Sequence, residues 1–223
     1  MKDDYSVVKE VIASVAKMTG RSANDITLVA VTKGISWNQC SWLYDLGQRH
    51  FGENRIAEAS AKMDAAPNDC LWHFIGTLQS NKVRKIIGKF SLIHSVDSFE
   101  LAEKISQCSL EQNIITKILL QANTSGEASK HGLSPEKWKR SYEKLLSLNG
   151  LIIQGLMTMA PATNDENAIH QCFASLRHLR DDLQTYTSKN APMSDLSMGM
   201  SNDFKIAIAE GATIVRIGSA INA

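Results

Sequence analysis

The chain has 223 residues, 24 basic against 23 acidic for a net charge of +1, and 43% hydrophobic residues. That balance removes any global electrostatic case for nucleic acid or an anionic membrane surface, and α/β barrels of this length are normally single domains. No apolar run is long enough to span a bilayer. The N-terminal MKDDYSVVKEVIASVAKM breaks its apolar residues with charges, unlike a signal peptide. Cys40, Cys70, Cys108 and Cys172 are scattered without a CxxC, as expected of reduced core thiols in a cytoplasmic protein.

Val8, Val11, Ile12, Val15 and Met18 recur at three- and four-residue spacing, predicting an amphipathic helix over 4–19 that Gly20 stops. Polar Ser22–Asp25 leads into ITLVAVTKG, residues 26–34, whose branched apolar run predicts a buried strand over 26–31. Further strands are expected over 50–52, 71–76, 91–96, 114–122, 151–158, 196–199 and 213–217. Helices are expected over 37–47, 53–65, 79–87, 98–108, 135–148, within 165–187 and over 201–210. Asp97 reads as an N-cap with Glu100 three residues on, Ser134 and Pro135 open the helix at 135, and 123–133 is a turn-rich loop. Eight strands alternating with helices demand right-handed crossovers and a mostly parallel sheet. The expected fold is therefore α/β, a single (β/α)8 TIM barrel over 1–223, with the extra N-terminal helix filling the eighth place in the outer ring. An open doubly wound sheet is the alternative, but no GxGxxG follows the first strand.

In such a barrel, chemistry sits at the C-terminal ends of the strands. Lys33 ends the first strand on the same face as Val29 and Val31, so it is either snorkelling to solvent or held in a pocket with a partner. SMGMSND, residues 197–203, ends a strand in a glycine turn, and Ser201 reads as the opening of the next helix. VRIGSA, residues 215–220, offers Gly218 for close backbone approach and Ser219 as a donor. These are the tips of strands seven and eight, where barrels often hold a phosphate. Arg216 shares the apolar face of Ile214 and needs an acceptor inside: a carboxylate, a ring nitrogen or a phosphate. An imine-forming lysine, a phosphate cup and an interior arginine together suggest pyridoxal 5′-phosphate (PLP), with Arg216 facing the pyridine nitrogen. His73 reads as a satisfied interior histidine. His50, His94 and His131 lack metal-ligand spacing, Lys82, Arg84, Lys85 and Lys89 read as a solvated face, and no metal site is expected.

Seven blocks carry a resemblance: AVTKG at 30–34, FGENRIAE at 51–58, WHFIGTLQSNK at 72–82, HSVDS at 94–98, GLMTMAP at 155–161, LSMGMSNDF at 196–204 and VRIGSAI at 215–221. In this order they closely resemble the pyridoxal phosphate homeostasis proteins (YggS/PROSC type). The resemblance implies a barrel of the alanine-racemase N-terminal type and a PLP Schiff base on Lys33. It implies Arg216 at the pyridine nitrogen, Ser201, Gly218 and Ser219 at the phosphate, and Asn54, Ile75 and Met157 lining the cofactor. The chain departs from the family where Ile35 replaces a second lysine near the mouth, where Thr77 stands for proline, and where it ends at SAINA without the usual basic tail.

The expected role is a non-catalytic, monomeric PLP carrier that contributes to intracellular PLP homeostasis and amino-acid/keto-acid balance, with PLP-dependent apo-enzymes as recipients. The alternative is a PLP-dependent amino-acid racemase. Efficient racemisation needs acid–base groups on both faces of the substrate carbon, which alanine-racemase-like enzymes complete with a further β-domain and a partner subunit. An arginine at the ring nitrogen keeps that nitrogen unprotonated and weakens the electron sink, which favours the carrier.

Overall fold

Eight short parallel strands close on themselves in sequence order in the computed structural model, which describes residues 2–127, 131–186 and 188–222. They are β1 (Thr27–Val31), β2 (His50–Glu53), β3 (Leu71–Phe74), β4 (Leu92–Val96), β5 (Thr116–Gln121), β6 (Leu151–Met157), β7 (Asp195–Ser197) and β8 (Ile214–Ile217). The ring closes because β1 pairs with β2 on one side and β8 on the other, Val29 lying opposite Arg216. The expected (β/α)8 barrel is what forms, and the doubly wound alternative falls with that closure. Residues 128–130 of the turn-rich loop and Thr187 at the end of the long-helix window lie outside the described residues.

Alternation along the strands builds two separate apolar regions. Val29, Leu92, Leu119, Met157 and Ile214 cluster together and fill the barrel interior. Their neighbours Ala30, Phe51, Phe74, Ile93 and Ile118 belong to the outer core beneath the helices. Those helices are α1 (Lys2–Met18), α2 (Trp37–Asp45), α3 (Ile56–Ala65), α4 (Val83–Ile86), α5 (Phe99–Glu111), α6 (Pro135–Leu146), α7 (Glu166–Gln184), α8 (Phe204–Ala209) and α9 (Ser219–Asn222). α1 packs on α8, α9 and α2, which places it in the eighth position of the ring as expected. The short α9 has no counterpart in the sequence reading.

Capping decides two helix starts. Ser134 accepts from the Lys137 amide at 3.4 Å, as its position before Pro135 leads one to expect. At α5 the cap is Ser98, which accepts from Leu101 N at 3.2 Å, and not the expected Asp97. The helix begins one residue later because Phe99 is its first helical residue.

Candidate functional site

The C-terminal ends of the strands open into a cavity of about 1080 Å³. All eight residues singled out in the sequence line it: Lys33 after β1, Asn54 after β2, Ile75 after β3, Met157 at the end of β6, Ser201 after β7, and Arg216, Gly218 and Ser219 from β8 and its exit.

Lys33 is exposed on the rim. The residue before it is fixed from below. Thr32 is fully buried, its hydroxyl donates to Glu53 Oε1 at 2.6 Å, and its carbonyl accepts from Lys62 Nζ. Lys62, on α3, also donates to Glu53 Oε1 at 2.5 Å in an ion pair that is 4% and 0% exposed. An ion pair removed from water this fully stands only with good geometry and added hydrogen bonds, and Thr32 supplies them. Nothing in the sequence reading marked Lys62, because its partner lies nine residues back on another element.

On the opposite flank the backbone is drawn tight. A Cβ on Gly76 would lie 2.2 Å from the Asn54 carbonyl oxygen, so only glycine lets β3 leave beneath that residue. The Asn54 side chain then lies at the cavity with its Oδ1 buried and without a hydrogen-bond partner among the described residues.

At the β7 exit the structure corrects one expectation. Ser201 does not open α8. Asp203 stands at the helix start and its Oδ1 accepts from Met200 N at 2.6 Å. Burial raises the Asp203 carboxyl, while the Met200 amide and the Arg216 charge pull it down. Ser201 instead reaches across to the exit of β8, where its Oγ accepts from Gly218 N at 3.3 Å and Ala220 N at 3.2 Å. The donors at this corner are thus the amides after β8, gathered around one hydroxyl, and not the N-terminus of the six-residue α8.

Arg216 is 5% exposed. One terminal nitrogen donates to Ser197 Oγ at 2.6 Å and the other to the Thr158 carbonyl at 2.9 Å. Among the described residues no carboxylate lies within ion-pairing distance of it. Burial pulls its pKa down to about 10, against the opposing effect of Asp203. His73 is a buried interior histidine, as expected, and its partners are His50 and His94, both at 2.9 Å. Ser197 went unremarked in the sequence reading. Its signal is available in retrospect: it ends a strand two residues before a turn glycine, on the face that Asp195 shares.

The site can be tested for fit to PLP, a flat aromatic aldehyde carrying a phosphate. Three properties of these residues match it. An amine stands at the rim, a buried guanidinium without a carboxylate faces the interior, and two amides with a hydroxyl converge at the exit of β8. The unpartnered Asn54 Oδ1 adds an acceptor with spare capacity. The residues fit the group.

Fold and site together define a closed parallel α/β barrel with a rim lysine and an interior arginine at one mouth. The family model for the alanine racemase N-terminal domain matches residues 9–222. The pyridoxal phosphate homeostasis protein of Aquifex aeolicus is 40% identical over 215 residues, covering 96% of this chain and 93% of that protein. Among solved structures, an unknown protein from Bifidobacterium adolescentis superposes with a TM-score of 0.93 at 37% identity, over 98% of this chain and 93% of the other. PipY of Synechococcus elongatus with PLP bound superposes with a TM-score of 0.82 at 35% identity, over 95% of this chain and 100% of PipY. The chain belongs to the pyridoxal phosphate homeostasis protein family, on the alanine racemase N-terminal fold.

Proposed function

We propose that the chain acts as one barrel domain that binds PLP at this mouth and serves PLP homeostasis as a carrier without turnover of its own. The observation that carries the reading is the convergence of Lys33, Arg216, Asn54 and the Ser201–Gly218 corner on one cavity. Lys33 would hold the cofactor, its amine being the group able to condense with an aldehyde to a Schiff base and water. Ser201, Gly218 and Ser219 would hold the phosphate, Arg216 would face the pyridine nitrogen, and Asn54, Ile75 and Met157 would line the ring. PipY, 35% identical and solved with PLP bound, supports PLP as the ligand of this barrel.

The lining of the cavity supports carriage. Lys33 is the one lysine among the described lining residues, no tyrosine, histidine or cysteine stands there, and of its two carboxylates, Glu166 and Asp203, the second accepts from the Met200 amide. The bound cofactor would pass to PLP-dependent apo-enzymes in the cytoplasm from a monomeric carrier, with effects on amino-acid and keto-acid balance. No helix among the described residues is long and apolar enough to cross a membrane.

Borohydride treatment of PLP-loaded protein followed by peptide mass mapping tests the reading. The mass is expected on Lys33 and is expected to vanish in Lys33→Ala while the barrel remains folded. A cofactor mass on another lysine overturns the site. Loss of optical activity from L-amino acids at ordinary enzyme rates overturns the carrier.

A further inference from the structure

A line of polar side chains crosses the barrel interior and ends on Arg216. His50 Nδ1 lies 2.9 Å from His73 Nε2, and His73 Nδ1 lies 2.9 Å from His94 Nε2. His94 Nδ1 lies 2.8 Å from Ser197 Oγ, the atom that accepts from Arg216 at 2.6 Å. The members stand on β2, β3, β4, β7 and β8. His50 pairs with Leu71 and His73 with Leu92, so each histidine sits two residues further along than the partner of the one before it. The line therefore climbs from the lower end of the barrel towards the mouth. His73 and His94 are buried, and His50 is half-buried at the lower end.

Counting hydrogens gives the line a direction. A guanidinium only donates, so Ser197 Oγ must accept from Arg216. The Ser197 hydroxyl hydrogen then finds its acceptor in His94 Nδ1. This leaves the His94 proton on Nε2, where it donates to His73 Nδ1. The same step puts the His73 proton on Nε2, donating to His50 Nδ1. Run the other way, the Ser197 hydroxyl hydrogen has no acceptor in a buried site, which is costly. Each histidine in this arrangement is neutral, as its surroundings require. Burial and the facing His50 hold His73 at about 3, and burial, His73 and Arg216 hold His94 well below the usual imidazole range. The charged group facing Arg216 from elsewhere is Asp203.

We propose that Ser197, His94 and His73 are positioning residues for Arg216: a one-way series of donors that anchors the guanidinium from behind without neutralising it. A carboxylate in the place of Ser197 would anchor it equally well and cancel its charge. A neutral acceptor leaves the full positive charge directed at the cavity, so that a pyridine nitrogen placed there stays an unprotonated acceptor. The proposal rests on the cavity being the PLP site.

The test has two arms. In the first, ligand-free wild-type protein labelled with 15N at histidine is read by NMR from about pH 5 to about pH 8. The expected result is a neutral Nε2–H tautomer at both His73 and His94 throughout. Nδ1–H tautomers or protonation in that range overturn the series. In the second arm, Ser197→Ala and Ser197→Thr are loaded with PLP. Ser197→Ala is expected to raise the Kd about tenfold or more, the effect of one lost hydrogen bond to a charged group. It is also expected to displace the pH profile of the bound cofactor's absorbance, and Ser197→Thr, which keeps the hydroxyl, to restore both. His94→Gln serves as a second variant, expected to show a smaller displacement in the same direction. Wild-type affinity and pH profile in folded Ser197→Ala overturn the positioning role. A wild-type chain that takes up no PLP overturns the site reading and the positioning role together, and intact Nε2–H tautomers distinguish that failure from failure of the series itself.

Discussion

Both ends of the barrel hold a cavity, and the two differ in what points into them. The lower one, about 480 Å³, lies beside the N-terminal ends of β5 and β6 and is lined by Ile115, Leu146, Leu148 and Asn190 among others. Its one partly buried polar side chain is engaged, Asn190 donating to the carbonyls of Leu146 at 3.1 Å and Leu148 at 3.4 Å, while Asn149 and Lys189 lie exposed in solvent. The mouth holds a buried, unpartnered Asn54 Oδ1 and a buried guanidinium with no carboxylate. Buried polar capacity, rather than volume, separates a binding site from a gap between loops.

The largest effect is expected from disturbing the buried ion pair below the mouth. Lys62→Ala would leave Glu53 as an uncompensated buried carboxylate, and a loss of about 3–5 kcal/mol in denaturant unfolding is expected. A loss below about 1 kcal/mol would mean that water reaches the pair. Acid comes next in size. His73 has its pKa lowered from 6.5 to about 3 by burial and His50. Below 6.5 the unfolded chain binds a proton that the folded chain refuses, so stability is full above that value and falls as pH drops towards 3. Between pH 6.5 and about pH 4.5 this one group removes about 2 kcal/mol, with His94 adding in the same direction. Unfolding midpoints that do not move over that interval would show the histidines open to solvent. The smallest effect is expected at the lower cavity. Ile115 is 68% exposed, so Ile115→Ser should alter stability by less than about 0.5 kcal/mol and leave PLP affinity unchanged. A change in PLP affinity would erase the distinction between the two ends.

The order of elements was legible because period-two and period-3.6 patterns are local, and the mouth was legible because its residues sit at strand tips that the pattern marks. What stayed hidden depends on which strands face each other across the interior. His94 on β4 meets Ser197 on β7, 103 residues later, and no periodicity relates them. Lys62 looks like one more helix lysine, and only the folded chain brings its amine inward to the Thr32 carbonyl. Ser201 and Asp203 are both acceptable caps by composition; Asp203 takes the helix start because it directly precedes Phe204, the first residue of α8, which frees Ser201 for the amides of Gly218 and Ala220.

Thr32 is gripped at two atoms, its carbonyl by Lys62 and its hydroxyl by Glu53. Lys33 therefore swings from a stationary pivot, like a crane arm whose base cannot slide. The radius that its amine sweeps is set by four methylenes alone, and an ornithine at this position would shorten that radius by one carbon with no backbone slack to make up the distance.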